Sequence, residues 1–434
     1  MPTVSVIIPT HNRSAVLKRT LDALAQQNYP LSEMEVIVAA DGCTDDTSEM
    51  LKAYQAPYTL KVIEQPSQGP AVARNQGAAL ALAPLLIFLD DDIEASPGFV
   101  AAHVQAHQKQ ANQVVLGYLP TILKTQTGFF RITLRGWWEA MFQRMRQPGY
   151  RFAYCDLLSG NFSVSADLFA AVGKFDPQFR CHEDYELGMR LLQAKAKFTF
   201  AEAAMGYHHE LTDLDRSLRR KYQEGKADVQ LGQKYPELKP TLLVSTMIAR
   251  CSWVDRMALI VIFKMPALGD LLAKGLRRSL DLLEWMRLRS YWRTLLDRLL
   301  GYWYLRGIAE ASSTQQALTT FLQGSRPVSS PNLLDIEIDL KAGLAQAECR
   351  LEQERPTGVR LRYGKQIIGR IPAIPGTERL HAAHLRPTLA TTLAPALIPA
   401  LVLDKAVNVT NSSPQVTYEL PAQPSQSPEL VYVN

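Results

Sequence analysis

Residues 85–93 read Leu-Leu-Ile-Phe-Leu-Asp-Asp-Asp-Ile, five apolar side chains running straight into three carboxylates. Pro84 bounds the run on one side and charge bounds it on the other. A continuous apolar stretch of this length is a strand buried on both faces, which an α/β sheet with helices on either side provides. Asp90, Asp91 and Asp92 then emerge at its carboxyl end, where open α/β sheets place their ligands. Adjacent carboxylates repel one another, and a divalent cation relieves the repulsion. Hard oxygen donors suit Mg2+ or Mn2+, which commonly accompany a phosphate. Taken alone, three aspartates fit a solvated acidic turn better than a metal site, so the rest of the chain has to decide.

The first 120 residues alternate strand and helix patterns. Val4 to Pro9 is a strand, and Ser14 is placed to cap a helix carrying Val16, Leu17, Leu21 and Leu24 at helical spacing. Glu35 to Ala39 is the next strand, broken by Asp41-Gly42. A helix follows over Asp46 to Tyr54 with Asp45 as its cap, then a strand over Leu60 to Glu64, a helix over Pro70 to Leu82 and the strand of Leu85 to Leu89. Such alternation predicts a Rossmann-like, mainly parallel sheet with flanking helices. No Gly-x-Gly-x-x-Gly follows any of these strands, which argues against a dinucleotide site.

Further on the pattern changes. Phe129, Phe130, Trp137, Trp138 and Phe142 interleave with Arg131, Arg135, Arg144, Arg146 and Arg151 in a helical segment. It fits either a helix packed on the sheet or one resting at a membrane surface. His182-Glu183-Asp184 opens a helix with Leu187, Leu191 and Leu192 on one face, and strand-like Phe198 to Ala201 leads to His208-His209. Beyond Leu211 the chain turns helical and basic. Met257 to Ala273 is the most apolar stretch, but Lys264, Pro266 and Asp270 interrupt it, and a spanning helix needs about 20 mostly apolar residues. Ser325 to Pro331 reads as a linker. Asp335 to Leu340 and Val359 to Ile371 then alternate in strand fashion, and a proline-rich end over Pro421 to Pro428 is expected to fray. The expected organisation is a catalytic domain over 1–215, a basic and aromatic helical region over 216–324, a linker over 325–331 and a small β-rich module over 332–434.

Composition excludes little. A net charge of +5 over 434 residues is too mild to argue for nucleic acid. Five scattered cysteines without a Cys-x-x-Cys pair favour reduced thiols over disulfides or a zinc site. The start carries no basic segment followed by an apolar one, so a cytoplasmic location is expected, with the inner face of the cell membrane left open by the basic helices.

Several strand ends should meet at the edge where Asp90 to Asp92 emerge: Pro9-Thr10-His11-Asn12-Arg13 after the first strand, Asp41-Gly42 after the second, Gln68-Gly69-Pro70 after the third. Asp41 can accept the imide N–H of a uracil. Arg74-Asn75, in the helix behind Gly69, is placed to reach a diphosphate or nucleoside. The segments Val4-Ser-Val-Ile-Ile-Pro-Thr-His-Asn-Arg13, Asp41-Gly-Cys-Thr-Asp45, Gly69-Pro-Ala-Val-Ala-Arg-Asn-Gln-Gly77, Asp90-Asp-Asp92, Gly160-Asn-Phe-Ser163 and His182-Glu-Asp184 together resemble glycosyltransferase family 2. The resemblance covers residues 3 to 215. It implies a GT-A fold, a nucleotide-sugar donor and inversion at the anomeric carbon.

By position, the resemblance assigns Pro9, Thr10 and Arg13 to the nucleoside pocket, with Asp41 on the base. Gly69, Arg74 and Asn161 join the nucleotide-sugar set. Asp90 and Asp92 match the two acids of the family's Asp-x-Asp motif, Asp90 toward ribose or metal and Asp92 on the metal, while Asp91 fills the variable position. Cys43 stands where a serine is common, and Ala40 where an acid is frequent. Asp184 matches the base that takes the acceptor hydroxyl's proton, with Glu183 positioning the acceptor. His208 is the preferred candidate for a further metal ligand over His209, since neighbours on an extended segment point to opposite faces.

The expected activity is a Mn2+- or Mg2+-dependent transfer of a hexosyl or N-acetylhexosaminyl group from a UDP-sugar to an acceptor hydroxyl. A glycan or lipid-linked acceptor, in cell-surface glycan or polysaccharide biosynthesis, fits the basic aromatic helices. Two alternatives stand beside it. One is an inactive nucleotide-sugar or glycan-binding scaffold, against which the intact acid set argues. The other is a sugar nucleotidyltransferase, whose glycine-rich basic first loop is missing from Thr10 to Arg13.

Overall fold

The computed structural model describes residues 1–108, 112–122, 128–249, 253–323 and 335–410. In chain order, β1 (Val4–Thr10), α1 (Ser14–Leu24), β2 (Met34–Asp41), α2 (Thr47–Ala53), β3 (Thr59–Gln65), α3 (Pro70–Ala79) and β4 (Leu85–Leu89) alternate as the sequence predicts. β5 (Ile93–Ala95), α4 (Phe99–His107), β6 (Gln113–Tyr118), α5 (Phe129–Met145), β7 (Asn161–Ser165), α6 (Ala166–Ala171), α7 (Glu183–Gln193) and β8 (Lys197–His208) follow. The eight strands form one sheet in the order β3-β2-β1-β4-β7-β6-β8-β5. β1 runs parallel to β2 and β4, and β2 parallel to β3, so all four release their carboxyl ends at one edge. β7 runs antiparallel to β4 and therefore starts at that edge, with Asn161 opposite Leu89. Every residue of β4 is buried, as its unbroken apolar run requires.

One cap differs from the sequence reading. Ser14 is the first helical residue of α1 rather than its cap, and its amide donates to Asp45 Oδ2 from the neighbouring loop (3.3 Å). The same Asp45 accepts at Oδ1 from the Thr47 amide (3.1 Å), so one carboxylate serves the starts of α1 and α2.

The helical region comprises α8 (Leu214–Lys234), α9 (Leu243–Ala249), α10 (Trp253–Lys264), α11 (Pro266–Trp285), α12 (Arg289–Ser312) and α13 (Gln315–Gln323). It shares its core with the sheet, since Leu231, Tyr304 and Ile308 join the cluster that holds β1 and β4. α8 and α12 cross very closely. A Cβ added at Gly225 would overlap the Tyr304 carbonyl, and one at Gly307 the Tyr222 carbonyl. Met265 separates α10 from α11 immediately before Pro266. Among the described residues no single helix is long and apolar enough to cross a membrane; Ala382–Ala390 with Ala394–Asp404 passes that test only as a pair bent by 83°.

The aromatic segment of α5 is taken up by packing. Phe129 meets Trp292 edge-on (centroids 5.5 Å apart), and Phe142 packs against Tyr118 and Phe200. Trp137 remains about half exposed.

The C-terminal module holds β9 (Asp335–Asp339), α14 (Leu344–Glu354), β10 (Gly358–Tyr363), β11 (Gln366–Ile371), α15 (Ala382–Ala390) and α16 (Ala394–Thr410). Its strands form a separate three-stranded sheet, β11-β10-β9, over a core of its own. The expected strands are present, and three helices accompany them. Arg151 clamps this module to the first: Nε donates to the Glu378 carbonyl, Nη1 to Pro372 and Nη2 to Thr357, each at 2.8 Å. Glu378, buried, accepts at Oε1 from the Phe152 amide (3.1 Å) and lies 3.2 Å from His384 Nε2. Although Glu378, His381 and His384 converge, His384 Nδ1 accepts the His381 amide (3.1 Å), which leaves its proton on Nε2 facing the carboxylate. This is a hydrogen-bonded helix start rather than a metal-ready imidazole. The linker at 325–331 and the proline-rich end lie outside the described residues.

Candidate active site

The strand ends border a cleft of about 1170 Å³. Pro9, Thr10, Arg13 and Asp41 line it from β1 and β2, Asp90 to Asp92 from β4, Glu183 and Asp184 from α7, and His208 from β8. The antiparallel sense of β7 brings Ser159 and Gly160 alongside, and the Gly160 carbonyl accepts the Asp90 amide (3.1 Å). Asp90 and Asp184, far apart in the sequence, thus line one opening.

Asp41 sits at the end of β2 with three donors already in place: Gln65 Nε2 and the Gln68 amide on Oδ1, the Gly69 amide on Oδ2, each at 2.8 Å. A carboxylate offers about four lone-pair sites, so acceptor capacity remains on this cleft-lining side chain. Gly69 contributes its backbone amide to this arrangement, and its side-chain-free face abuts the Arg180 guanidinium.

The three aspartates have three different settings. Asp90 is the open one, 39% exposed, with Oδ1 held by Arg74 Nη2 at 2.7 Å. Asp91 is buried and fully engaged: Thr10 Oγ1 donates to Oδ2 and Arg13 Nη1 to Oδ1, both at 2.7 Å, while Thr20 Oγ1 takes its carbonyl. Burial, with Asp92 adding to it, pushes its carboxyl up to about 6. Asp91 is therefore more than a spacer: it fastens the end of β4 to β1 and α1 and aims Arg13. Asp92 accepts from Arg13 at Oδ2 (2.9 Å) and faces His208 Nε2 from Oδ1 (3.6 Å). Burial alone would raise its carboxyl, but His208 and Arg13 outweigh it and hold it below the usual range.

On the opposite wall Asp184 lacks an ion partner among the described residues. Its Oδ1 accepts the amide of Tyr185 (2.9 Å), and the Ser159 amide stands 3.5 Å from Oδ2. Burial and then the neighbouring Glu183 charge lift its carboxyl to about 6, against the pull of His182, Arg220 and Arg74. Glu183 is tied to Arg74 Nη1 (3.0 Å). Buried Arg74 thus bridges Asp90 and Glu183, one Nη on each carboxylate, and braces the two walls while itself lining the cleft. Asn75 likewise grips both backbone groups of Phe175 and not a ligand.

Asn161 is not brought to the cleft. Its Nδ2 donates to the Ala204 carbonyl (3.0 Å) and its Oδ1 meets His103 Nε2 (2.9 Å), inside the core. Gly117 makes the room, since a Cβ there would collide with the amide. The motif's contribution to the cleft is Gly160, one residue earlier, because alternate residues of β7 face opposite sides. His209 turns away to Glu94 (2.7 Å), which leaves His208 on the cleft.

Asp92, His208 and the open oxygen of Asp90 present two carboxylates and an imidazole, a donor set that suits Mn2+ or Mg2+ with phosphate and water completing the shell. His208 Nδ1 is buried without a hydrogen bond. The three are not drawn together as a closed trio within 4.8 Å. Sequence reasoning missed the far wall, where Arg219, Arg220 and Trp303 line the cleft from α8 and α12 and Lys274 and Arg277 from α11. Their helical spacing was visible, but nothing local said which face would meet Asp184.

An open α/β sheet with acids gathered at its carboxyl edge is an arrangement that suits nucleotide binding. Residues 5–173 match the family described as Glycosyl transferase family 2, so that stretch of the chain is a family 2 glycosyltransferase domain. It is 35% identical over 244 residues to validoxylamine A glucosyltransferase of Streptomyces hygroscopicus subsp. jinggangensis, over 49% of this chain and 57% of that protein. It is 27% identical over 240 residues to glycosyltransferase AglE of Haloferax volcanii, over 53% of this chain and 74% of that one. Among solved structures, the mannosyltransferase PcManGT of Pyrobaculum calidifontis, in complex with GDP-Man and Mn2+, aligns with a TM-score of 0.49 at 17% identity, over 72% of this chain and 88% of that one. The chain spans little more than half the length of the first of these relatives.

Proposed function

We propose that this protein is a metal-dependent, inverting glycosyltransferase that moves a hexosyl or N-acetylhexosaminyl group from a UDP-sugar to an acceptor hydroxyl. The observation that carries the reading is the division of one cleft into two walls: Asp41, Asp90 and Asp92 at the strand ends, and Asp184, free of ion partners among the described residues, on the helix opposite. Asp41 takes the base through its remaining lone pair, Pro9, Thr10 and Arg13 shape the nucleoside pocket, and Asp90 faces the ribose. Asp92, with Asp90 and His208, would hold Mn2+ or Mg2+, and the ion would supply charge neutralisation for the departing diphosphate. Asp184 accepts the acceptor hydroxyl's proton as the oxygen attacks the anomeric carbon; a carboxyl lifted toward neutrality is a better base than an ordinary one, and at neutral pH it is still ionised. Glu183, steadied by Arg74, positions the acceptor.

Residues 1–215 carry this chemistry, the helices from α8 to α12 supply the acceptor wall, and 335–410 form an appended module. The matched glucosyltransferase supports a hexosyl donor. Cell-surface glycan or polysaccharide synthesis fits the volume of the cleft and its basic far wall. Thermal shift against a panel of UDP- and GDP-sugars with Mn2+ tests the donor assignment. A rise in melting temperature confined to UDP-sugars is expected, and a shift with GDP-sugars alone would overturn it.

A further inference from the structure

α11 has three faces. Gly269, Ala273 and Leu280 are buried against the rest of the fold, and Asp270, Lys274 and Arg277 line the cleft. The third face carries Leu268, Leu271, Leu272 and Leu282, with Met286 just past the helix end, all between 41% and 68% exposed. Helices of water-soluble proteins turn such stripes inward; this one points out. α10 repeats the pattern, with Leu259 and Ile262 buried and Trp253, Met257 and Ile260 exposed. Trp285, 80% exposed, stands at the end of α11. Between the two helices and α12 opens an apolar groove of about 210 Å³, walled by Ala258, Val261, Leu272 and Leu276. A continuous exposed apolar surface of this kind marks an interaction site.

Charge identifies the partner. Arg256, Lys264, Arg278, Arg287 and Arg289 are exposed along the rims of the stripe, whereas the exposed acid beside it, Asp281, is already paired with Arg277. A second copy of the chain placed symmetrically on this face would bring like charges together. An anionic lipid surface would complement them, accept the leucines into its acyl boundary and seat the tryptophans at headgroup level. We propose that α10 and α11 lie in the plane of an anionic membrane. Because the cleft lies on a neighbouring face of α11, the acceptor side of the active site then opens beside the lipid surface, where a lipid-linked acceptor is held. Only this last consequence rests on the transferase reading.

Flotation of the full chain with vesicles of phosphatidylcholine, alone or mixed with phosphatidylglycerol, tests the surface without any turnover. The wild type is expected to float with the mixed vesicles and to stay down with neutral ones. The variant Leu271→Gln/Leu282→Gln/Trp285→Gln is expected to lose at least about tenfold in bound fraction, with its circular dichroism melt and UDP release unchanged. Wild-type protein that stays down with both vesicle types, or a variant that floats as well as wild type, would overturn the proposal. A dimer seen by light scattering and abolished in the variant would overturn it in favour of self-association. Loss of UDP release with flotation intact would count against the transferase reading alone.

Discussion

Asp184→Asn should cost activity and add stability, a combination that separates a base from a structural residue. In the fold its carboxyl is lifted to about 6, first by burial and then by Glu183, against an ordinary value of about 3.9. Roughly two pH units at about 1.4 kcal/mol each set a ceiling of ~3 kcal/mol on the penalty for holding that charge at neutral pH. Access of the carboxylate to the cleft lowers the realised figure to the order of 1–2 kcal/mol. The sign follows from linkage. The unfolded chain releases this proton at lower pH than the folded one, so the penalty is complete above the folded value and vanishes below the unfolded one. Asparagine removes the charge and keeps the shape. Denaturant melts at pH 7.5 should therefore show the variant more stable than wild type, with the advantage fading between about pH 6 and pH 4. Sugar transfer should fall by about 10²–10⁴, and the wild-type pH–rate profile should rise with an apparent value near 6. A variant that is less stable than wild type, or that transfers sugar at the wild-type rate, would refute the assignment.

Three further substitutions probe the rest of the arrangement. Asp92→Asn should bring turnover with Mn2+ down to the metal-free level, measured as UDP release; a residual response to Mn2+ would place the metal elsewhere. Asp91→Asn turns one donor-facing oxygen into an amide N–H toward Thr10 or Arg13 and should cost on the order of 1–3 kcal/mol in a denaturant melt, while the response to Mn2+ survives. An unchanged melt would contradict its fastening role. Arg151→Met strips three hydrogen bonds from the module's carbonyls, and faster hydrogen exchange at 372–378 is expected; equal protection in wild type and variant would refute the clamp.

The strands were the most legible part of the fold, because burial on both faces leaves a continuous apolar run that few other structures allow. Leu85 to Leu89 agrees with β4 residue for residue, and β1 to β3 extend the sequence reading by at most two residues at either end. Caps and side-chain direction were harder. Ser14 had a cap's chemistry, but Asp45, 31 positions away, supplies the acceptor. Asn161 sat in the right motif, yet whether it or Gly160 faces the cleft depends on how β7 pairs with β4 and β6. Arg74 was on the correct helix, but its commitment to Asp90 and Glu183 arises only when α3, β4 and α7 converge. The far wall of the cleft was least legible, since helical periodicity gives faces without saying what each will meet.

The two-wall reading is tested most directly by UDP release from UDP-sugars, followed with Mn2+ and with a chelator, in wild type, Asp92→Asn and Asp184→Asn. The account predicts release in the wild type with Mn2+, loss of that release with the chelator and in Asp92→Asn, and near-background acceptor-stimulated release in Asp184→Asn despite tighter folding. Release that is indifferent to the chelator and to both substitutions would contradict it.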